Sequence, residues 1–434
     1  MVLDPLTSFA LFFIAFILMA LAGIPIFASL GLSGIAVILL AGKDITIAIK
    51  SFMMPFQSFP MLGVFLFTLM GTVFERTQLT KYIIDAVEPA VGRVKGGLAI
   101  SVAVSSAFFG LLTGSVAATA AAFSRLTGPE MERRGYPKSF AGSVICASAP
   151  LGAFIPPSIP GIIIAVATGT SVITMFMIGA GLGIILLAGL SILIFAISYR
   201  NNYGGVVRRY TWSEFGVNVL KTMPILVVPL GVLWSIYFGV FSVTEAGALG
   251  AAASFAVAAL YRKLTLRKVL EIFVEASKTT GMILLLIGSS YIISFAFSLT
   301  GINAALISLL RDLGSQYVHM ALLFLAAILA ALGCFLDVIV LAIALGAVTV
   351  SALTPLGVNP YHINSLYLYG VLLGTCTPPV GAAVFVVSQT LNLPIEKLSR
   401  SVWVFVLLYL TLYVALIFIP ELALWLPRLL RLPL

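Results

Sequence analysis

The chain has 434 residues, of which 61% are hydrophobic and only 9% are charged, and its mean hydropathy is +1.17. A water-soluble globular chain of this length does not keep that balance, so we expect lipid as its solvent and no soluble domain. The net charge of +9 does not indicate nucleic-acid binding, because the basic residues stand in short loops between apolar segments, where they orient helices and meet anionic headgroups.

The first predicted element is the apolar run of residues 6–21, and similar runs occupy residues 24–40, 175–197 and 401–419. Each is close to the roughly 20 residues that cross a ~30 Å hydrocarbon core as a helix. The first run follows Asp4 without a basic segment or a small-residue cleavage site, so we expect a retained helix rather than a signal peptide. The sequence therefore predicts a multi-pass, all-α membrane protein.

The two halves of the chain carry the same landmarks in the same order, at spacings of 216 to 223 residues. The first copies are Gly23, Gly31, Gly34, Phe74, Gly92, Gly110 and the pair Pro156 and Pro157. The second copies are Gly239, Gly247, Gly250, Phe297, Gly314, Gly333 and the pair Pro378 and Pro379. This order predicts an internal repeat, with residues 1–220 as the first unit and residues 221–434 as the second.

The charges that flank these landmarks predict that the two repeats are inverted. Basic residues at positions 93, 95, 133, 134 and 138 surround the segment near Gly110, so its base is expected in the cytoplasm. The segment near Gly333 is flanked by Arg311 and Asp312 and by the neutral residues 354–362, so its base is expected outside. Re-entrant hairpins at about 95–134 and 316–356 would therefore enter the membrane from opposite sides.

Helix-breaking residues fall at membrane depth in four places, at residues 113–115, 148–158, 333–338 and 374–381. Broken helices are thus expected at about 139–168 and 362–390. Unwound chain is tolerated in lipid only where it is buried in protein or lines a cavity, and paired interruptions in two halves point to a binding site near the midplane. Freed carbonyls can hold a cation there, and helix N-termini an anionic group. Close helix packing, which also uses small residues, stays the alternative for each interruption.

The sequence does not favour an enzyme. Cys146, Cys334 and Cys376 lie in apolar or small-residue segments without metal-ligand spacing, and His319 and His362 are isolated. An intramembrane phosphatase or protease would need a nucleophile with a base, or a metal cluster, within the bilayer. The chain also has no Walker motif, so ATP use would require another subunit.

The interrupted segments resemble a known family. Residues 113–131, TGSVAATAAAFSRLTGPEM, followed by RGYPKSFAGSV and by LGAFIPPSIPGIIIAVATGTS, are similar to the signature of the large membrane subunits of TRAP (tripartite ATP-independent periplasmic) transporters. The later GCFLD and GTCTPPVG resemble the equivalents of the second repeat. The resemblance covers nearly the whole chain. It implies two inverted repeats with re-entrant hairpins and broken helices, in an elevator-type carrier of the bacterial inner membrane.

The resemblance also implies the coupling ion, the partner proteins and the class of substrate. It implies sodium ions as the coupling ions, a small membrane subunit of about four helices, and a periplasmic solute-binding protein that delivers a small organic anion, a carboxylate or a sulfonate. The chain shows no extra helices of a fused small subunit, so we expect that partner as a separate polypeptide. No cofactor is expected. A stand-alone carrier of the same superfamily remains the alternative.

The same resemblance implies the site residues. One sodium cage would use Thr113, Gly114 and Ser115 of the first hairpin with Gly152. The other would use, in the second half, Gly333, Asp337, Gly374, Thr375 and Thr377. The substrate carboxylate would lie between the tips, near Ser115, Ser158 and Thr377.

The chain departs from the family pattern at two places, and both lie in the second half. Val338 follows Asp337 where the family would show proline, and Ala382 and Ala383 replace a Leu-Asn pair. The ligand assignment in the second half therefore has less support than that in the first. For Asp337 two interpretations stay open, a cap of the following helix and a sodium contact.

Overall fold

A computed structural model describes residues 4–79, 81–91, 94–204, 212–378 and 381–434. Among the predicted landmarks, Gly92, Pro379 and the flanking Arg93 lie outside the described residues, and so does Val380 of the fourth interruption. Within these ranges the protein consists of helices and their connections, without strands.

The helices of the first half include one pair that forms a hairpin and three short helices that follow it. In chain order they are α1 (Pro5–Leu21), α2 (Ile26–Leu40), α3 (Ile45–Met53), α4 (Pro60–Arg76), α5 (Lys81–Val91), α6 (Gly97–Thr113), α7 (Val116–Arg133), α8 (Lys138–Ser148), α9 (Leu151–Phe154), α10 (Ile159–Thr168) and α11 (Val172–Asn201).

The helices of the second half follow a similar order. They are α12 (Trp212–Tyr237), α13 (Val243–Leu260), α14 (Leu266–Leu299), α15 (Ile302–Gln316), α16 (Val318–Gly333), α17 (Val338–Leu353), α18 (Pro360–Cys376), α19 (Ala382–Leu391), α20 (Ile395–Phe418) and α21 (Glu421–Leu429). Short 3-10 helices occupy Met54–Gln57 and Thr354–Leu356.

Length and composition identify the membrane-crossing helices. Among the described residues, six helices are long and apolar enough to cross a bilayer, and up to eight if each bent pair counts as one span. The bent pairs are Ile45–Gln57 with Pro60–Arg76, at 66°, and Lys138–Phe154 with Ile159–Thr168, at 50°. The predicted all-α, polytopic fold is confirmed.

Each predicted segment corresponds to two or three consecutive helices. The hairpin at about 95–134 is α6 and α7, and the one at about 316–356 is α16 and α17 with the short helix after it. The broken helix at about 139–168 is α8 to α10, and that at about 362–390 is α18 and α19. The proposed border between residues 220 and 221 falls inside α12, so it divides a helix rather than a linker.

The outer helices of the two halves pack against each other in matching pairs. Helix α2 packs on α14, and its counterpart α13 packs on α4. The repeated glycines lie in these contacts: a Cβ on Gly34 would come 2.9 Å from Ile292, and a Cβ on Gly250 would come 2.8 Å from Val232 and 2.9 Å from Met70. Small residues let helix backbones approach closely in membranes, which gives these landmarks a packing reason.

The inner helices also pack across the two halves. The first arm of each hairpin packs on the broken helix of its own half, α6 on α9 and α16 on α18. The second arm packs on the broken helix of the other half, α7 on α19 and α17 on α10. The hairpins and broken helices therefore form one core, in which each half holds part of the other.

Candidate functional site

The tip of the first hairpin is a tight turn between two helices. Gly114 ends α6 with φ +58°, a left-handed conformation that glycine adopts without steric cost, and its amide donates to the Gly110 carbonyl at 3.0 Å. Ser115 then caps α7, because its Oγ accepts a hydrogen bond from the Ala118 amide at 3.3 Å. Gly114 is buried, whereas Thr113 and Ser115 are half-buried.

This tip lies against the break in the first broken helix. A Cβ on Gly114 would lie 3.3 Å from the Pro157 carbonyl oxygen and 3.5 Å from the Ile159 amide nitrogen. Ser158 caps α10 by accepting from the Gly161 amide at 3.3 Å, and its hydroxyl donates to the Ala153 carbonyl at 2.6 Å. Helices α7 and α10 therefore begin beside the same contact, where their partial positive charges favour an anionic group.

One turn below the tip, two glycines bring the hairpin and the broken helix into backbone contact. A Cβ on Gly110 would overlap the Cα and carbonyl of Gly152, closer than the 3.0 Å that real Cβ atoms respect. Thr119 Oγ1 lies on the other side of Gly152 and donates to the Ser115 carbonyl at 2.7 Å. Gly152 thus touches the hairpin through Gly110 and Thr119, while the break residues contact the tip itself.

The second half repeats this glycine contact. A Cβ on Gly374 would overlap the carbonyl of Gly333 and come 2.7 Å from the Cys334 amide nitrogen. Gly333 is the repeat counterpart of Gly110, and Gly374 lies 222 residues after Gly152. The same backbone approach therefore occurs at equivalent places in both halves, although nothing in helix packing alone requires the pairing.

Two hydroxyls stand at the break of the second broken helix. Thr375 Oγ1 donates to the Leu372 carbonyl at 2.7 Å, and Thr377 Oγ1 donates to the Leu373 carbonyl at 2.8 Å. A hydroxyl that donates its one hydrogen keeps its lone pairs, so both oxygens can still coordinate a cation. The chain unwinds at Thr377, whose carbonyl accepts from the Gly381 amide at 3.0 Å.

Asp337 caps the second arm of its hairpin. Its Oδ1 accepts a hydrogen bond from the Ile339 amide at 3.0 Å, at the N-terminus of α17, where the helix dipole favours a negative charge. The side chain is exposed, as is that of Phe335 beside it. The structure therefore places Gly333 against Gly374 and uses the carboxylate of Asp337 as the cap of α17.

The structure also shows contacts that the sequence did not identify. The repeat identified Gly110 and Gly333 as landmarks, but not their contacts with Gly152 and Gly374. Gly71 of α4 carried no such signal, yet a Cβ there would overlap the Leu112 carbonyl oxygen and lie 3.1 Å from Thr113 Cα. Gly71 therefore lets an outer helix touch the tip of the first hairpin.

No group of three or more His, Cys, Asp or Glu side chains in the described part of the chain could hold a metal ion. The groups that could coordinate a cation at the two hairpins are mainly carbonyl and hydroxyl oxygens. Such oxygens are hard ligands that suit alkali or alkaline-earth cations.

A multi-pass helical bundle whose hairpins meet broken helices is the architecture of a membrane transport protein. The family model described as tripartite ATP-independent periplasmic transporter, DctM component, matches residues 13–422. The chain belongs to this family, and is therefore a large permease subunit of a TRAP transporter.

Two relatives carry the name permease and differ in what their names say they transport. The chain is 30% identical over 403 residues to the C4-dicarboxylate TRAP transporter large permease protein DctM of Pseudomonas aeruginosa, covering 92% of this chain and 94% of that protein. It is 28% identical over 422 residues to the isethionate TRAP transporter permease protein DctMQ of Oleidesulfovibrio alaskensis, covering 96% of this chain and 66% of that protein.

The fold also matches a solved structure. The crystal structure of the Alcanivorax borkumensis YdaH transporter superposes with a TM-score of 0.62 and 13% identity, covering 88% of this chain and 89% of that one. The likeness supports the fold, which was described there as an unusual topology.

Proposed function

We propose that this chain is the transport subunit of a sodium-coupled importer of small organic anions in the bacterial inner membrane. The observation that carries the proposal is the matched contact of Gly110 with Gly152 and of Gly333 with Gly374. Each contact joins a hairpin to a broken helix close to its break. Unwound carbonyls at such breaks inside a membrane protein coordinate cations.

Each half would hold one sodium ion. In the first half the ligands would come from Thr113, Gly114 and Ser115 with carbonyls near Gly152. In the second half they would come from Gly333, Gly374, Thr375 and Thr377, with Asp337 as a direct or water-mediated ligand once the second tip closes over the site.

The substrate would be a carboxylate or a sulfonate. The adjoining N-termini of α7 and α10, capped by Ser115 and Ser158, supply partial positive charge and amide donors without a buried cationic side chain. Thr377 would complete the substrate site from the other half. The names of the dicarboxylate and isethionate permeases support this substrate class.

Sodium coupling provides enough free energy for uptake. One positive charge that crosses a ~100 mV potential contributes roughly 2.3 kcal/mol, and a tenfold sodium gradient adds about 1.4 kcal/mol per ion. Two ions carried with one monoanion supply about 5 kcal/mol on these figures, which supports accumulation of roughly several thousandfold. The core of hairpins and broken helices would move against the outer helices as an elevator.

The proposal includes a small membrane subunit and a periplasmic binding protein as partners. Proteoliposomes that contain this chain and the small subunit should accumulate the anion only when the loaded binding protein and an inward sodium gradient are both present. The anion is chosen first by thermal-shift screening of the binding protein with C4-dicarboxylates and isethionate. Uptake by this chain alone from free substrate, or uptake that a proton gradient drives without sodium, would overturn the proposal.

A further inference from the structure

A long apolar groove runs along the outside of the protein between α12 and α13. Its first part has a volume of about 520 Å³ and its second about 230 Å³, and the two parts share Val227, Val228 and Ala253. The groove extends along α12 from Leu220 to Ser235, which is about 22 Å at 1.5 Å per residue. That length exceeds one leaflet of a ~30 Å hydrocarbon core.

Small residues on both helices create the groove. Gly231 of α12 has open space where a side chain would stand, with no atom within 4 Å of a built Cβ. On α13, opposite it, the walls are Ala246, Gly250, Ala253 and Ala256. No described helix covers this face. The main neighbours of α12 are α13 and α5, and α6 contacts it to a smaller extent.

Basic residues stand at one end of the groove. Lys221 follows the lining residue Leu220, and Arg262 and Lys263 lie just beyond the lining residue Val257 on α13. The Tyr261 hydroxyl donates to the Lys221 carbonyl, so the C-terminal end of α13 meets α12 at this place. All three basic side chains are exposed, and none has an ion pair within the described residues.

We propose that this groove binds an anionic phospholipid, with one acyl chain along α12 and α13 and the phosphate headgroup at Lys221, Arg262 and Lys263. The walls match a hydrocarbon chain because the lining is almost wholly apolar. The basic end matches an anion, because clusters of Lys and Arg at the membrane surface attract anionic headgroups by about 1 kcal/mol each. A helix of a partner subunit would cover the groove but would not account for three unpaired cations at its end.

The site lies on outer helices and touches none of the residues assigned to sodium or substrate. Its occupant would fix α13 against α12, and α13 packs on α4, which contacts the first hairpin tip through Gly71. The lipid would therefore stabilise the outer helices against which the core moves. This consequence depends on the proposed elevator, whereas the lipid site itself does not.

Binding is tested with the full chain purified in detergent, by native mass spectrometry with phosphatidylglycerol and phosphatidylethanolamine of identical acyl chains. We expect one phosphatidylglycerol to bind at least tenfold more tightly than phosphatidylethanolamine. The double variant Arg262→Gln, Lys263→Gln should lose this preference. The control variant Lys397→Gln changes an exposed lysine of α20, outside the groove, and should retain it.

The acyl part of the site has its own matched pair of variants. Gly231→Leu should fill the groove and reduce the affinity for both lipids about tenfold. Gly216→Leu on the same helix, where a Cβ also meets no atom within 4 Å, lies outside the groove and should have no effect. Equal binding of the two lipids, or an unchanged preference in the double variant, would overturn the proposal. Protection of Gly231→Cys from a lipid-soluble maleimide by the small partner subunit, in lipid-free detergent, would instead identify the groove as a protein interface.

Discussion

Substitution of Gly71 by alanine provides a test of movement between the outer helices and the first hairpin. A Cβ at Gly71 would overlap the Leu112 carbonyl oxygen, and a backbone atom cannot move aside as a flexible side chain can. Overpacking of this kind costs typically about 1–3 kcal/mol. The cost applies only while the tip of the hairpin rests on α4, so Gly71→Ala should reduce the population of this state about 5- to 150-fold.

The assay measures how often the tip leaves α4. Leu112 is 1% exposed, so a cysteine at that position in a background without Cys146, Cys334 and Cys376 reacts with maleimide only when the tip opens. Gly71→Ala should raise the labelling rate by the same 5- to 150-fold factor.

The control is Gly63→Ala on the same helix, where a Cβ meets Phe67 at 3.5 Å and Val243 at 3.7 Å, which are ordinary contacts. Both variants gain the same helix propensity of about 1 kcal/mol. Equal labelling of the two variants, with equal melting temperatures, would refute a hairpin that moves against α4.

Three further predictions concern the site and the topology. Gly374→Ala should abolish sodium-driven uptake while expression stays normal, because its Cβ overlaps the Gly333 backbone. Gly189→Ala, whose Cβ would meet the Leu408 side chain at 3.4 Å, should retain most of the uptake. Asp337→Asn keeps the capping oxygen, so a cap alone predicts unchanged sodium dependence, whereas a sodium ligand predicts a severalfold rise in the sodium concentration for half-maximal uptake. Single cysteines at Gly135 and Asn359 should label from the cytoplasm and from outside, respectively; labelling of both from one side would contradict inverted repeats.

The helical fold could be predicted well from the sequence, because a membrane limits both the length of its apolar helices and the places where they can be interrupted. Apolar runs of about 20 residues are constrained by membrane thickness, and helix breakers at that depth are rare enough to be informative. The helix ends at Gly114 and Ser158 follow from local chemistry, a glycine in the left-handed region and a serine cap. These features depend on neighbouring residues and so can be identified without the fold.

The contacts between halves could not be predicted in the same way. The repeat marks Gly110 and Gly333 as landmarks, but only the packing of the hairpins shows that each meets a glycine of a broken helix. The contact of Gly71 with the hairpin tip has no repeat counterpart, because position 294 is a serine. The surroundings of Asp337 depend on how the second hairpin packs, which the local sequence does not determine.

The number of sodium ions that the protein binds tests the central claim most directly. The purified chain, reconstituted in nanodiscs with its small subunit, is titrated with radioactive sodium in the presence of the organic anion. Two matched sites, one in each half, predict two ions per chain, and predict that Gly110→Ala and Gly374→Ala each remove one of them. Absence of saturable sodium binding in a complex that still transports the anion would contradict the account.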